Sequence, residues 1–496
     1  MTNKIGFDNE AYLRTQSQHI KERIAQFGGK LYLEFGGKLF DDHHASRVLP
    51  GFRPDSKIKM LEQLKDDAEV IIAINASDIE KNKVRGDLGL TYDIDTLRLI
   101  DAFRGYGLYV SSVVLTRFTG QPNAVAYQNK LEGLGLKVYR HYPIEGYPHK
   151  INQIVSDEGY GRNEFVETTR QLVVVTAPGP GSGKMATCLS QLYHENKRGV
   201  KAGYAKFETF PIWNLPLSHP VNLAYEAATA DLGDVNMIDN FHLEAYGKTT
   251  VNYNRDIEIF PVLNAMMEHI LGKSPYKSPT DMGVNMAGNC IVDDEVTREA
   301  GAQEILRRYY NTMTQIRKGS DTEAALERIE LLMSKAGIKP EDRRVVTAAR
   351  EHALRHEEGP TAAIELHDGT IILGRTSELL GASSAMLLNA LKHLAGIPDP
   401  VNMISPMILE PICELETKQL GHVNPRLHTE EVLIALSVCA LTDINAQKAI
   451  SQLSALRGCE VHTSVILSQK DEAIFRRLGV NLTCEATYQT AKLYHA

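Results

Sequence analysis

Leu172-Val173-Val174-Val175-Thr176-Ala177-Pro178-Gly179-Pro180-Gly181-Ser182-Gly183-Lys184-Met185-Ala186-Thr187 is the stretch whose reading decides the fold. An unbroken β-branched run is what a strand buried on both faces looks like, and such strands belong to parallel sheets covered by helices. The run passes into a glycine-rich loop and then into sequence with apolar residues at helical spacing. Strand, loop and helix in that order make a phosphate-binding unit: glycines let backbone N–H groups close on an anion, the helix N-terminus adds partial positive charge, and a lysine reaches the terminal phosphates.

The match to G-x-x-x-x-G-K-[ST] is incomplete. Position 178 carries Pro where that pattern has Gly, and Met185 stands where a magnesium-binding hydroxyl is expected. Pro178 and Pro180 also lack an N–H. Gly181 to Met185 contains no proline, and the donors that cradle a β-phosphate come from that end of the loop. The candidate phosphate-holding residues are Gly179, Gly181, Ser182, Gly183, Lys184, Met185 and Thr187, the last two residues late for direct metal binding. That offset predicts a shifted metal ligand or a weaker dependence on metal.

Downstream, Lys201-Ala202-Gly203-Tyr204-Ala205-Lys206-Phe207 reads as the next strand. Over 172–208 the chain resembles P-loop ligases of the dethiobiotin synthetase type, whose loop is one residue longer and would align Ala177 with the first glycine. The resemblance implies that Lys206 and Glu208 end a strand beside the phosphate site and join Lys184 as catalytic residues. It also implies that Asp231 and Asp234, with Asp239 nearby, hold Mg²⁺, which takes hard oxygen ligands, and that ATP is the nucleotide. A plainer account is a βα loop in an anion-free α/β protein, with those aspartates serving as N-caps and solvated turns.

Working outward, Leu31–Phe35, Val70–Asn75, Leu108–Thr116 and Leu136–Tyr142 read as further strands, alternating with helical patterns over Asn9–Gln26, Lys57–Lys65, Asp95–Tyr106 and Asn123–Leu131. Such alternation predicts βα units feeding a mostly parallel sheet. From Asp293 to Lys335 the pattern turns helical, a further helix runs from Pro340 to His356, and Ala362–Leu366 with Thr370–Leu373 flank a D-G turn as a hairpin. The predicted architecture is multidomain α/β: a layered sheet domain with the P-loop-like unit over 1–290, a helical segment over 291–358, and a second α/β domain over 359–496.

Composition bounds the rest. Across 496 residues, 54 Lys and Arg oppose 62 Asp and Glu for a net charge of −8, which argues against a nucleic-acid or anionic-membrane binder. Six separated cysteines, a start without an apolar leader, and apolar runs too short to span a bilayer together predict reduced thiols and a cytoplasmic location. The expected partner is a small-molecule substrate, and a homo-oligomer is compatible with a chain of this kind. The lone Trp213 follows the strand expected to flank the loop, so its fluorescence is expected to report nucleotide.

The opening Gly6-Phe7-Asp8-Asn9-Glu10, with Tyr12-Leu13 and Thr15-Gln16-Ser17, then Glu34-Phe35-Gly36-Gly37-Lys38-Leu39-Phe40-Asp41-Asp42, and Thr280-Asp281-Met282-Gly283-Val284-Asn285-Met286-Ala287-Gly288 resemble a bacterial domain-of-unknown-function family nearly end to end. That resemblance implies a cytosolic bacterial protein and brings no activity with it. Other constellations compete. Asp41, Asp42, His43 and His44 follow the first strand, where a metal or an acid/base pair is a candidate against a polar surface loop. Asp281, Asn285 and Asn289 recur every four residues, and Ser383 or Ser384 would cap a helix. The leading function is a nucleotide (ATP)-binding enzyme, ligase-like or phosphoryl-transferring, acting on a small metabolite. The alternatives are a non-catalytic phosphometabolite-binding protein and a metal-dependent hydrolase.

Overall fold

The computed structural model describes residues 4–85, 88–356, 359–422 and 426–489. They form two units, one from Ile5–Glu226 and Asp234–Arg298, the other from Lys4, Ala227–Gly233 and Glu299 onward. The first is built on six strands: β1 (Leu31–Phe35), β2 (Ala68–Asn75), β3 (Tyr109–Thr116), β4 (Lys137–Arg140), β5 (Leu172–Thr176) and β6 (Gly203–Phe207). They lie in the order β4-β3-β2-β5-β1-β6, with every pairing parallel.

All residues of β1, β2 and β5 are buried, as helices on both faces require. Tyr32, Ile71, Ala73, Val114, Val173 and Val175 share one core with the helices Lys184–Lys197 and Asn254–Leu271. Their neighbours in sequence point to the opposite face because successive strand side chains alternate. The strands and helices expected in this part of the chain are present, with ends shifted by a few residues.

Chain direction through the sheet creates the crevice. From β2 the chain moves to β3 on one side, whereas from β5 it moves to β6 on the other. The loops that leave the adjacent carboxyl ends of β2 and β5 therefore diverge, which is the switch point where open α/β sheets take ligands. One expectation is corrected. β6 does not flank the strand that carries the glycine loop: β1 lies between them, paired to both. Sequence order alone does not reveal an intervening strand from much earlier in the chain.

In the second unit the D-G hairpin is β9 (Thr361–Glu365) with β10 (Ile371–Arg375), after the short ribbon β7 (Asn236–Ile238) and β8 (Val251–Tyr253) of the first unit. β11 (Glu460–Thr463) and β12 (Asn481–Cys484) complete a mixed sheet in the order β10-β9-β11-β12. Helix Arg344–Leu354 covers the Ala363 side and helix Ala382–Leu394 the Ala362 and Ile364 side. A buried ion network ties helices to this sheet. Glu460 accepts from Arg343 and, at 2.7 Å, from Arg307, whose Nε also donates to Glu304. Arg343 is 1% exposed and donates further to the Asn481 carbonyl at 3.0 Å.

Candidate functional site: the glycine loop and its neighbouring acid cluster

The glycine loop lies in that crevice, and its conformation follows from three tethers. Thr116 Oγ1, at the end of β3, donates to the Ser182 carbonyl at 2.7 Å. Asn75 Nδ2, at the end of β2, donates to the Gly181 carbonyl at 3.4 Å, and Ser182 Oγ donates to the Gly179 carbonyl at 2.8 Å. The loop's carbonyls are thereby turned into protein. Gly181 and Gly183 take φ of 75° and 86°, a region that favours glycine, and Gly183 is the N-cap of helix Lys184–Lys197. A side chain at Gly179 would meet the Tyr92 hydroxyl at 2.2 Å, so the backbone there presses on that ring.

The carbonyls of Gly179, Gly181 and Ser182 are committed in this way, whereas the N–H groups are not. Among the described residues, no protein acceptor meets the N–H of Gly181, Ser182, Gly183, Lys184, Met185 or Ala186. Successive N–H groups in such a turn, at the positive end of a 14-residue helix, make a concavity for an anion. Lys184 is half-buried at the helix start. Met185 packs against the core, and Thr187 is fully buried with its hydroxyl enclosed and without a hydrogen-bond partner among the described residues. Neither offers a hydroxyl to the open side of the loop.

Arg117, which the sequence reading missed, follows Thr116 directly. It is exposed, holds φ at 53° without being glycine, and its carbonyl accepts from Gln121 Nε2 at 3.1 Å. Backbone held in that region by its surroundings marks a constrained position. No sequence signal announces a left-handed arginine.

Lys206 and Glu208 stand at the end of β6. The Lys206 ammonium bonds both oxygens of Asp256 at 2.6 Å and lies 3.2 Å from Glu208 Oε1. Burial opposes its charge, but Asp256, Glu208 and Glu34 together hold it protonated. For Glu208, burial dominates, and with Asp256 and Glu34 it outweighs Lys206, so the carboxyl is pushed up to about 7. Glu34, on β1, accepts from the Tyr204 hydroxyl at 2.7 Å. Trp213 and Asn252 line the cleft beside this cluster, so the tryptophan is placed to sense the cleft rather than the glycine loop. Between the two sites β1 ends in Gly36-Gly37, and a side chain at Gly36 would strike Glu208 at 2.8 Å. Two strand spacings, about 10 Å, separate the ends of β5 and β6, with the Gly36-Gly37 end of β1 between them and the Lys57 ammonium close to Gly37.

The remaining candidates do not join these sites. Asp231 is exposed on the short turn Ala230–Leu232 of the other unit. Asp234 is gripped by Arg255 at 2.6 and 2.7 Å, and Asp239 caps helix Asn240–Tyr246. Asp42 is buried against Lys57 at 2.6 Å and caps helix His43–Val48, while His44 stands edge-on to Phe210 and Tyr225. Among the described residues no three His, Cys, Asp or Glu side chains converge on a point that would hold a metal ion. Asn285 and Asn289 bond to different partners, the Thr209 carbonyl and Asn214. The expected serine cap is corrected: the N-cap of helix Ala382–Leu394 is Gly381, and Ser384 donates instead to the Leu427 carbonyl.

Fold and site together define a layered α/β protein with a glycine loop in the crevice of a parallel sheet and a second α/β unit behind it in sequence. Two family models, both described as domain of unknown function DUF1846, match residues 5–337 (N-terminal) and 341–494 (C-terminal), and the chain belongs to that family. Curated relatives carry the name UPF0371 protein. The chain is 61% identical over 496 residues to the one from Corynebacterium diphtheriae, covering 100% of this chain and 99% of that one. It is 59% identical over 495 residues to the one from Corynebacterium urealyticum, covering 100% and 99%. It is 57% identical over 491 residues to the one from Streptococcus thermophilus, covering 99% of each. No helix among the described residues is long and apolar enough to cross a membrane.

Proposed function

We propose that the loop Gly179–Lys184 binds the phosphates of a nucleotide, ATP, and that the protein is an enzyme which transfers a phosphoryl group to, or activates in a ligase-like step, a small metabolite held at the Lys206–Glu208–Asp256 cleft. The observation that carries this reading is the row of unengaged N–H groups from Gly181 to Ala186, set at the one crevice the strand order creates. Lys184 neutralises charge on the terminal phosphate. Glu208, poised near neutrality, takes the acceptor's proton, and Lys206 with Asp256 fixes the carboxylate. The separation of about 10 Å across two strands suits a triphosphate reaching from loop to cleft.

The chain supplies no cluster of three ligands for a resident Mg²⁺ among the described residues, and Asp234 is already paired with Arg255. Magnesium would arrive on the nucleotide. Two variants test the reading. Lys184→Ala should lose ATP binding, whereas Glu208→Gln should keep ATP binding and lose turnover of ATP in the presence of a metabolite extract. A Glu208→Gln protein with full turnover refutes the assignment of the base, and a wild type that binds ATP without any turnover reduces the protein to a sensor.

A further inference from the structure

Helix Thr429–Cys439 in the second unit is apolar on two opposite faces. Val432, Ala435, Leu436 and Cys439 are buried in the core at helical spacing, and Ile434 and Val438, 59% and 57% exposed, form a second row on the far side, with Leu441, 83% exposed, in the turn just past the helix. Helix Pro406–Glu414 packs beside it, buries Leu409 and Cys413 in the same core, and presents Met407 outward at 82% exposure. Leu415, just past its end, and Ile444, at the start of the next helix, are half-exposed or more. An outward row of large apolar side chains in addition to the core-facing one is more than a helix facing only solvent carries.

Six large apolar side chains at this exposure sum to on the order of 700 Å², a quantity of exposed apolar surface that marks an interaction site when it is gathered on one side of a domain. Each partner in a stable interface buries ~800 Å². The two helices carry Glu410, Glu414, Glu430 and Glu431 and no Lys or Arg, and the segments that hold Leu415 and Ile444 add only Lys418, paired with Glu414 at 2.7 Å, and Lys448, whereas a helix lying on an anionic membrane needs a basic rim. A regular row of aliphatic ridges is self-complementary, which is what a two-fold interface demands because the same surface serves both subunits.

We propose that this face is where two copies of the chain associate, the Thr429–Cys439 helices packing antiparallel across a two-fold axis with Val438 near its centre. The test is the mass of the full chain in solution by light scattering or sedimentation. The wild type should weigh at least twice the chain's 55.1 kDa, and Ile434→Glu with Leu441→Glu should halve that mass while leaving far-UV circular dichroism unchanged. Val438→Cys, a separate and milder change, should give a covalent dimer on oxidation, whereas the native cysteines are all buried. A wild type that runs at the single-chain mass at micromolar concentration overturns the proposal, as does a double variant that keeps the wild-type mass. If the double variant does not fold, absence of a Val438→Cys cross-link overturns it instead, and so does a wild-type mass made up by a different protein.

Discussion

Gly183→Ala probes the loop where its shape is most constrained. Alanine at φ of 86° costs about 1–2 kcal/mol for left-handed backbone. Its methyl would also sit 3.1 Å from the Cβ, Cγ2 and Oγ1 of Thr116, closer than such contacts normally come. Relieving that contact moves the hydroxyl whose 2.7 Å bond holds the Ser182 carbonyl, a loss of about 1 kcal/mol. The expected destabilisation is thus about 2–3 kcal/mol in denaturant unfolding of the first unit. Gly181→Ala is the matched control: φ is 75° but nothing lies within 4 Å of the added methyl, so only the backbone cost of about 1–2 kcal/mol applies. A chain that escapes the strain by leaving this loop shape no longer aims its N–H groups together, and ATP affinity should fall at least about tenfold, equivalent to ~1.4 kcal/mol. Equal destabilisation by the two variants, or a Gly183→Ala protein that is as stable and binds as well as the wild type, refutes this loop geometry.

Further outcomes follow from buried charge. Glu460→Ala should destabilise the second unit by about 3–5 kcal/mol, because it strands the Arg343 and Arg307 guanidiniums in the interior; differential scanning calorimetry reads this as loss of one transition, and an unchanged scan contradicts the network. Burial lowers His141 from the ordinary 6.5 to about 4, so between those values the unfolded chain takes up a proton that the folded one refuses. The first unit should therefore lose stability as pH falls through that window, by at most about 3 kcal/mol, and His141→Gln should flatten the profile; a variant with the wild-type slope places the titrating group elsewhere. Tyr204→Phe removes the donor to Glu34 and should leave ATP affinity intact while altering the pH profile of turnover, since Glu34 bears electrostatically on Glu208.

The sequence makes some of this legible and hides the rest for physical reasons. Val173–Val175 and Leu31–Phe35 announce themselves because strands buried on both faces are dominated by apolar residues, with Glu34 the one charged exception among them, and Asp368-Gly369 marks its hairpin because a tight turn restricts which residues fit. Gly181 and Gly183 are readable because the left-handed turn that leads into helix Lys184–Lys197 favours glycine at those two positions. Asn75 and Tyr92, from the connection that follows β2, and Thr116, at the end of β3, shape the loop and meet it only through the strand order. Glu34 and Asp256 join Lys206 and Glu208 in the same way, from residues far apart in the chain. The insertion of β1 between β5 and β6 is a long-range pairing with no local signature, and it is what moves Trp213 away from the loop. Asp231 and Asp234 look alike in sequence as a carboxylate pair, yet Arg255 claims one and the other stands in a different unit.

Calorimetric titration of the full chain with ATP, with and without Mg²⁺ and beside Lys184→Ala, bears most directly on the glycine loop as a phosphate site. Saturable binding at one site per chain that disappears in the variant is the predicted result. A wild type that takes up no ATP, or a Lys184→Ala chain that binds it undiminished, would contradict it.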